Sequence, residues 1–148
     1  MGVTMTVEET KNFLRSIRSE ILEIQHLKRM IRQTEAGLLP QAIRYDKEKV
    51  QVSPEEHFSK VCAKISEYEE ELGSSIAILV EKQLKAEKLI KKLKDEKERE
   101  VLRWYYLTVE DGYLLTWGQV ALRMNYNERY VKQIHGNALV HLSKRGTK

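Results

Sequence analysis

Glu128, Arg129, Lys132, Gln133 and His135 stand close together near the end of the chain and differ in what they can bond. Arginine and lysine donate to guanine O6 and N7, glutamine can pair with adenine through two bonds, and a carboxylate accepts from the cytosine amino group. Such a mixture suits base edges better than a run of lysines, which meets phosphates without discrimination. Lys144, Arg145 and Lys148 follow and are of that second, phosphate-meeting kind.

Charge placement agrees with this division. Residues 128–148 hold five cations and one acid, whereas the other residues hold 21 of each, so the whole formal excess of +4 lies in this terminal segment. An anionic partner would bind there.

The elements around these residues must point them outward. Thr116-x-x-Gln119 has the form of a capping box, predicting a short helix from Trp117 to about Met124 with Val120, Ala121 and Met124 on one side. Ala121 is small enough for the closest approach of a second helix. Asn125 stands where the chain must turn, and asparagine tolerates the left-handed conformation best among non-glycine residues. Tyr126 can fill the corner and Asn127 can cap the next helix, whose inner face would be Val131, Ile134, Ala138, Leu139 and Leu142. Removing these leaves Glu128, Arg129, Lys132, Gln133 and His135 facing out. This is the helix-turn-helix pattern, in which the second helix enters the major groove. The helix start at Thr116 and Trp117 could hold a further phosphate.

Upstream, Thr6-x-x-Glu9 opens an amphipathic helix of roughly 30 residues, with Leu14, Ile17, Ile21, Ile24 and Ile31 at steps of three and four. Gly37 and Pro40 stop it. A connection follows to about residue 53, with a short extended piece at Val50 to Val52. Ser53-Pro54-Glu55-Glu56 then starts a second helix, predicted over 54–94, whose near-heptad seam needs a partner helix. The first helix is that partner, with a bend expected at Gly73-Ser74-Ser75. Asp95 and Glu98 suit another capping box, opening an aromatic-rich helix with Trp104, Tyr105 and Tyr106 in the core, before a reversal at Asp111-Gly112. The expected fold is all-α. Residues 1–94 form a long antiparallel, coiled-coil-like hairpin with its loop at about 37–53, and residues 95–148 form a small helix-turn-helix domain.

Enzyme chemistry finds no support. His26, His57, His135, His141 and Cys62 have no metal-ligand spacing, no glycine-rich loop could cradle a phosphate, and no nucleophile has a base beside it. No cofactor is expected. A lone cysteine and the lack of a signal peptide or an eighteen-residue apolar run indicate a cytoplasmic protein away from membranes.

The stretch "LTWGQVALRMNYNERYVKQIHGNALVHL" resembles the DNA-binding region 4 of bacterial sigma factors over Thr116 to Leu142. That resemblance places Glu128, Arg129 and Lys132 on base-contacting positions. Glu128 stands where housekeeping sigma factors carry a cation, so the same target sequence is not implied. With "DKEKVQVSP", the long helix and "VLRWYYL" in this order, the chain is also similar to phage and prophage regulators of Gram-positive bacteria related to autolysin regulatory and late-gene proteins. This implies a regulator that binds double-stranded promoter DNA and touches RNA polymerase. The long helices could also hold a homodimer. Two other readings are a phage terminase small subunit, which also joins a helix-turn-helix to helical oligomerisation elements, and a coiled-coil adaptor that binds no DNA.

Overall fold

Thr6 and Glu9 close the predicted capping box: the Glu9 N–H donates to Thr6 Oγ1 at 3.0 Å and the Thr6 N–H to Glu9 Oε1 at 3.1 Å. From this start α1 runs over Val7–Ala36. The computed structural model describes residues 5–37 and 53–145, without the side chains of Lys144 and Arg145. The expected extended piece at Val50 to Val52, the side chains of Lys144 and Arg145, and Lys148 lie outside the described residues. Ser53 Oγ accepts from the Glu56 N–H at 3.1 Å and starts α2, Pro54–Ile90. Helical backbone continues through Gly73, Ser74 and Ser75, where a bend was expected. One glycine costs a helix only about 1 kcal/mol, and the strong helix formers Glu69 to Leu72 lead into this one. Among the described residues, no helix is long and apolar enough to cross a membrane.

Three shorter helices follow: α3 over Glu96–Tyr106, α4 over Trp117–Met124 and α5 over Glu128–Arg145. Among the described residues the fold is all-α apart from one small hairpin, and the long N-terminal helices pack against each other. In the hairpin β1, Val109–Glu110, pairs antiparallel with β2, Tyr113–Leu114. Asp111 and Gly112 between them have φ of 51° and 82°. Positive φ at both central positions is the type I′ turn, whose twist matches that of the strands, and Asp-Gly supplies it.

The chain forms two compact units, one of Met1–Ile21 with Leu79–Lys148, the other of Leu22–Ile78. In the second, Ile24 and Leu27 of α1 are buried, and Gly37 O lies 3.1 Å from His57 Nε2 of α2. In the first, α1 meets partners from both α2 and the C-terminal helices. Leu14, Ile17 and Ile21 pack with Ala86, Ile90 and Leu93, and with Leu102, Tyr106, Leu139 and Leu142. Glu20 and Lys82 bridge α1 and α2 at 3.5 Å, and Arg103 of α3 grips Glu87 of α2 with two bonds of 3.1 and 2.7 Å. A second cluster, Val101, Leu115, Val120, Ala121, Val131 and Ile134, holds α3, α4 and α5 together.

One cap differs from expectation. Asp95 caps α3 through the Lys97 N–H at 2.8 Å, but Glu98 does not return a bond to it. Glu98 is instead buried, and both its oxygens lie 2.8 to 2.9 Å from His141 Nδ1 on α5. A buried carboxylate needs a hydrogen-bond partner, and an exposed cap could not have offered this one cover.

Candidate nucleic-acid interface

The capping box of α4 is complete. Thr116 Oγ1 accepts from the Gln119 N–H at 3.2 Å, and Gln119 Oε1 accepts from the Thr116 N–H at 2.9 Å. Val120 and Ala121 face the core and Met124 is partly buried, as the spacing predicts. The helix ends at Asn125, whose φ of 61° and ψ of 39° are left-handed. Tyr126 N–H then donates to Ala121 O at 3.0 Å and Asn125 N–H to Leu122 O at 3.4 Å. These two bonds are the Schellman closure, which satisfies carbonyls that a helix end otherwise leaves free. Two residues later Asn127 Oδ1 accepts from the Tyr130 N–H at 2.8 Å and starts α5. Tyr126 and Tyr130 meet edge to face at 5.0 Å, filling the corner.

Val131, Ile134, Ala138, Leu139 and Leu142 are all buried, so the inward face of α5 is as predicted. Glu128, Arg129, Lys132 and Gln133 are exposed on the opposite side. Glu128 and Lys132 lie 4.0 Å apart and are each 53% exposed. An exposed pair of this kind is worth only about 0.3 to 0.5 kcal/mol, so either partner is readily exchanged for a base or a phosphate. The Glu128 carboxylate also leans over the first turn of α4, with Oε1 3.6 Å from where a Cβ on Gly118 would stand. Exposed Gly136 and Asn137 prolong this outer face and were not singled out from sequence, although they follow Lys132 and Gln133 by one helical turn.

His135 requires correction. It does not face out: it is 9% exposed, and its Nε2 shares a 2.7 Å hydrogen bond with the Tyr106 hydroxyl. The helical period carries position 135 beside Ile134 and Ala138, toward α3. Burial, helped by Lys11 and Arg15, pushes its pKa down to about 4, so the ring is neutral near pH 7. Burial likewise raises the pKa of Tyr106. Trp117, at the helix start expected to hold a phosphate, has a partly buried side chain. Its indole stacks on Tyr105 at 3.7 Å and 7°, and it meets His135 edge-on at 4.7 Å. Thr116 is exposed, its hydroxyl already occupied by the cap.

Arg18 of α1 completes this aromatic group. Its guanidinium lies 3.8 Å over the Tyr105 ring, which at these distances leaves the opposite face for Trp117. It also donates to Tyr105 O at 2.6 Å and Leu115 O at 3.1 Å. Tyr105 O belongs to the last turn of α3, where carbonyls lack helical partners and a cation is favoured. We expect Arg18→Ala to cost about 2 kcal/mol of stability, since each charge-assisted bond is worth ~1.5 to 3 kcal/mol. Arg18→Lys should recover only part of this, having no planar group to stack. Equal melting curves for wild type and Arg18→Ala would remove the assignment.

α4, the left-handed corner and α5 thus make a helix-turn-helix with a polar, cation-bearing outer face. Residues 89–144 match the family described as Sigma-70, region 4, a DNA-binding helix-turn-helix domain. The matched segment runs from the last residues of α2 through nearly all of α5. No curated protein and no solved structure matches the chain.

Proposed function

We propose that the chain is a sequence-specific, DNA-binding transcriptional regulator, of the phage or prophage type, that reads promoter DNA with α5. The observation that carries this is the Asn125 corner, which sets α5 with its apolar face on α3 and α4 and its polar residues outward. Arg129 and Lys132 would donate to guanine, Gln133 would meet adenine, and Glu128 would accept from cytosine. The α4 start at Thr116 and Trp117, with Lys144 and Arg145, would meet phosphates.

Arg129→Ala is expected to weaken binding to the preferred duplex by ~1 to 3 kcal/mol and to relax preference at one base position, with folding unchanged. The measurement is a titration of labelled duplexes against both proteins, after the preferred motif has been selected from a random duplex library. Equal losses on every sequence would make Arg129 a phosphate contact and withdraw it from base reading.

A single module of this size binds weakly at physiological salt, so a second holding point is needed. Exposed Val80 and Leu84 stand one helical turn apart on α2, which favours a second copy of the chain through the long helices over RNA polymerase alone. A palindromic selected motif, with half-sites about 34 Å apart, would mark the dimer. A single half-site would mark attachment through polymerase.

A further inference from the structure

Beside α5 lies a cleft of about 500 Å³ that the helix-turn-helix by itself does not form. Lys11, Arg15 and Arg18 of α1 line it together with Lys132 and His135 of α5 and Trp117 of α4, and no carboxylate is among the lining residues. Lys11, Arg15 and Arg18 follow one another at steps of four and three, which puts them on one face of α1. Arg18 is committed to two carbonyls and to Tyr105. Lys11 and Arg15 are not: among the described residues neither has an ion-pair partner. Like charges four apart on a helix repel each other, and a cleft wall concentrates their field.

We propose that Lys11 and Arg15 bind backbone phosphates of the same duplex that α5 reads, so that α1 prolongs the phosphate contacts past the helix-turn-helix. This rests on the reading of α5 given above. Lys132 belongs both to the outer face of α5 and to the cleft, so a duplex lying on that face runs along the cleft's edge. Trp117 marks the start of α4, and the first helix of such a motif crosses the DNA backbone. The ligand chemistry is phosphodiester rather than nucleotide. Both faces of Tyr105 are covered and Trp117 is engaged by Tyr105 and His135, so no free aromatic face awaits a base.

The test uses the full chain with Lys11→Gln and Arg15→Gln combined, its duplex affinity followed against salt concentration. Each phosphate contact contributes about 0.9 to the slope of log K against log salt. The double variant should therefore flatten the slope by roughly 1.8 and weaken binding by tens of fold at ~0.1 M salt, equally on all sequences, with the preferred motif unchanged. Lys28→Gln with Arg32→Gln removes the same charge elsewhere on α1 and should leave the slope as it was. An unchanged slope in the first variant, or the same change in both, overturns the proposal. If Arg129→Ala meanwhile relaxes preference at its one base position, the reading of α5 stands and only the role of α1 falls. A wild-type chain without salt-dependent duplex binding would bring down both.

Discussion

Replacing Ile17 with alanine is expected to lower the unfolding free energy by about 2 to 5 kcal/mol. The side chain is fully buried, in the cluster that holds Ala86, Ile90, Leu102, Tyr106 and Leu139. Truncation removes apolar area from that cluster and leaves a cavity that helices on three sides cannot all close. A domain of this size is stable by only ~5 to 15 kcal/mol, so the loss is a large share of the total. Because Leu102 and Leu139 belong to α3 and α5, the weakness should reach α5, and duplex binding should fail at a lower temperature. Leu22→Ala, a few residues on but 54% exposed, should change stability by less than about 0.5 kcal/mol. Urea denaturation of both variants measures the contrast. Similar midpoints would mean that α1 does not share the core of the C-terminal helices.

Acid should destabilise the protein through His135. Its folded pKa of about 4 lies below the ordinary value of 6.5 because burial, then Lys11 and Arg15, disfavour the imidazolium. Between these values the unfolded chain holds a proton that the folded chain does not. Stability therefore falls as pH drops from about 6.5 toward 4 and is unaffected by this group above that window. At ~1.4 kcal/mol per pH unit the contribution is of order 3 kcal/mol at most. His135→Gln keeps a side chain able to bond the Tyr106 hydroxyl and removes the titration. Denaturation at pH 7.5, 5.5 and 4.5 should show the wild type losing more than the variant. Parallel losses in the two would place the acid sensitivity in other groups.

What was legible in the sequence is what depends on near neighbours in the chain. The boxes at Thr6 and Thr116, the caps at Ser53 and Asn127 and the left-handed Asn125 each involve residues within a few positions of one another, and each is present. The inner face of α5 followed from its period alone. His135 and Glu98 were misread because a polar side chain turns inward only when a remote partner awaits it, here Tyr106 and His141. The period of α1 marked its apolar face but not what covers it. Leu14 and Ile17 touch α3 and α5 as well as α2, and nothing local records that. The Asp111-Gly112 reversal was visible, but strands of two residues are too short to show alternation. Of the candidate site, the exposed set on α5 was readable, while Lys11 and Arg15 were hidden by their distance along the chain.

The pairing of Arg18 with carbonyls 87 and 97 positions further on has a consequence for how the molecule is made. On the ribosome, the unit that holds α4 and α5 cannot close until the carbonyls 87 and 97 positions after Arg18 have been synthesised. Such non-local closure makes folding slower than for a bundle of sequential neighbours. It also frees the intervening excursion, Leu22–Ile78, from most constraint on length, because closure entropy grows only with the logarithm of the loop, by about 0.6 kcal/mol per doubling. Insertions and deletions should accumulate in that excursion and leave the helix-turn-helix intact.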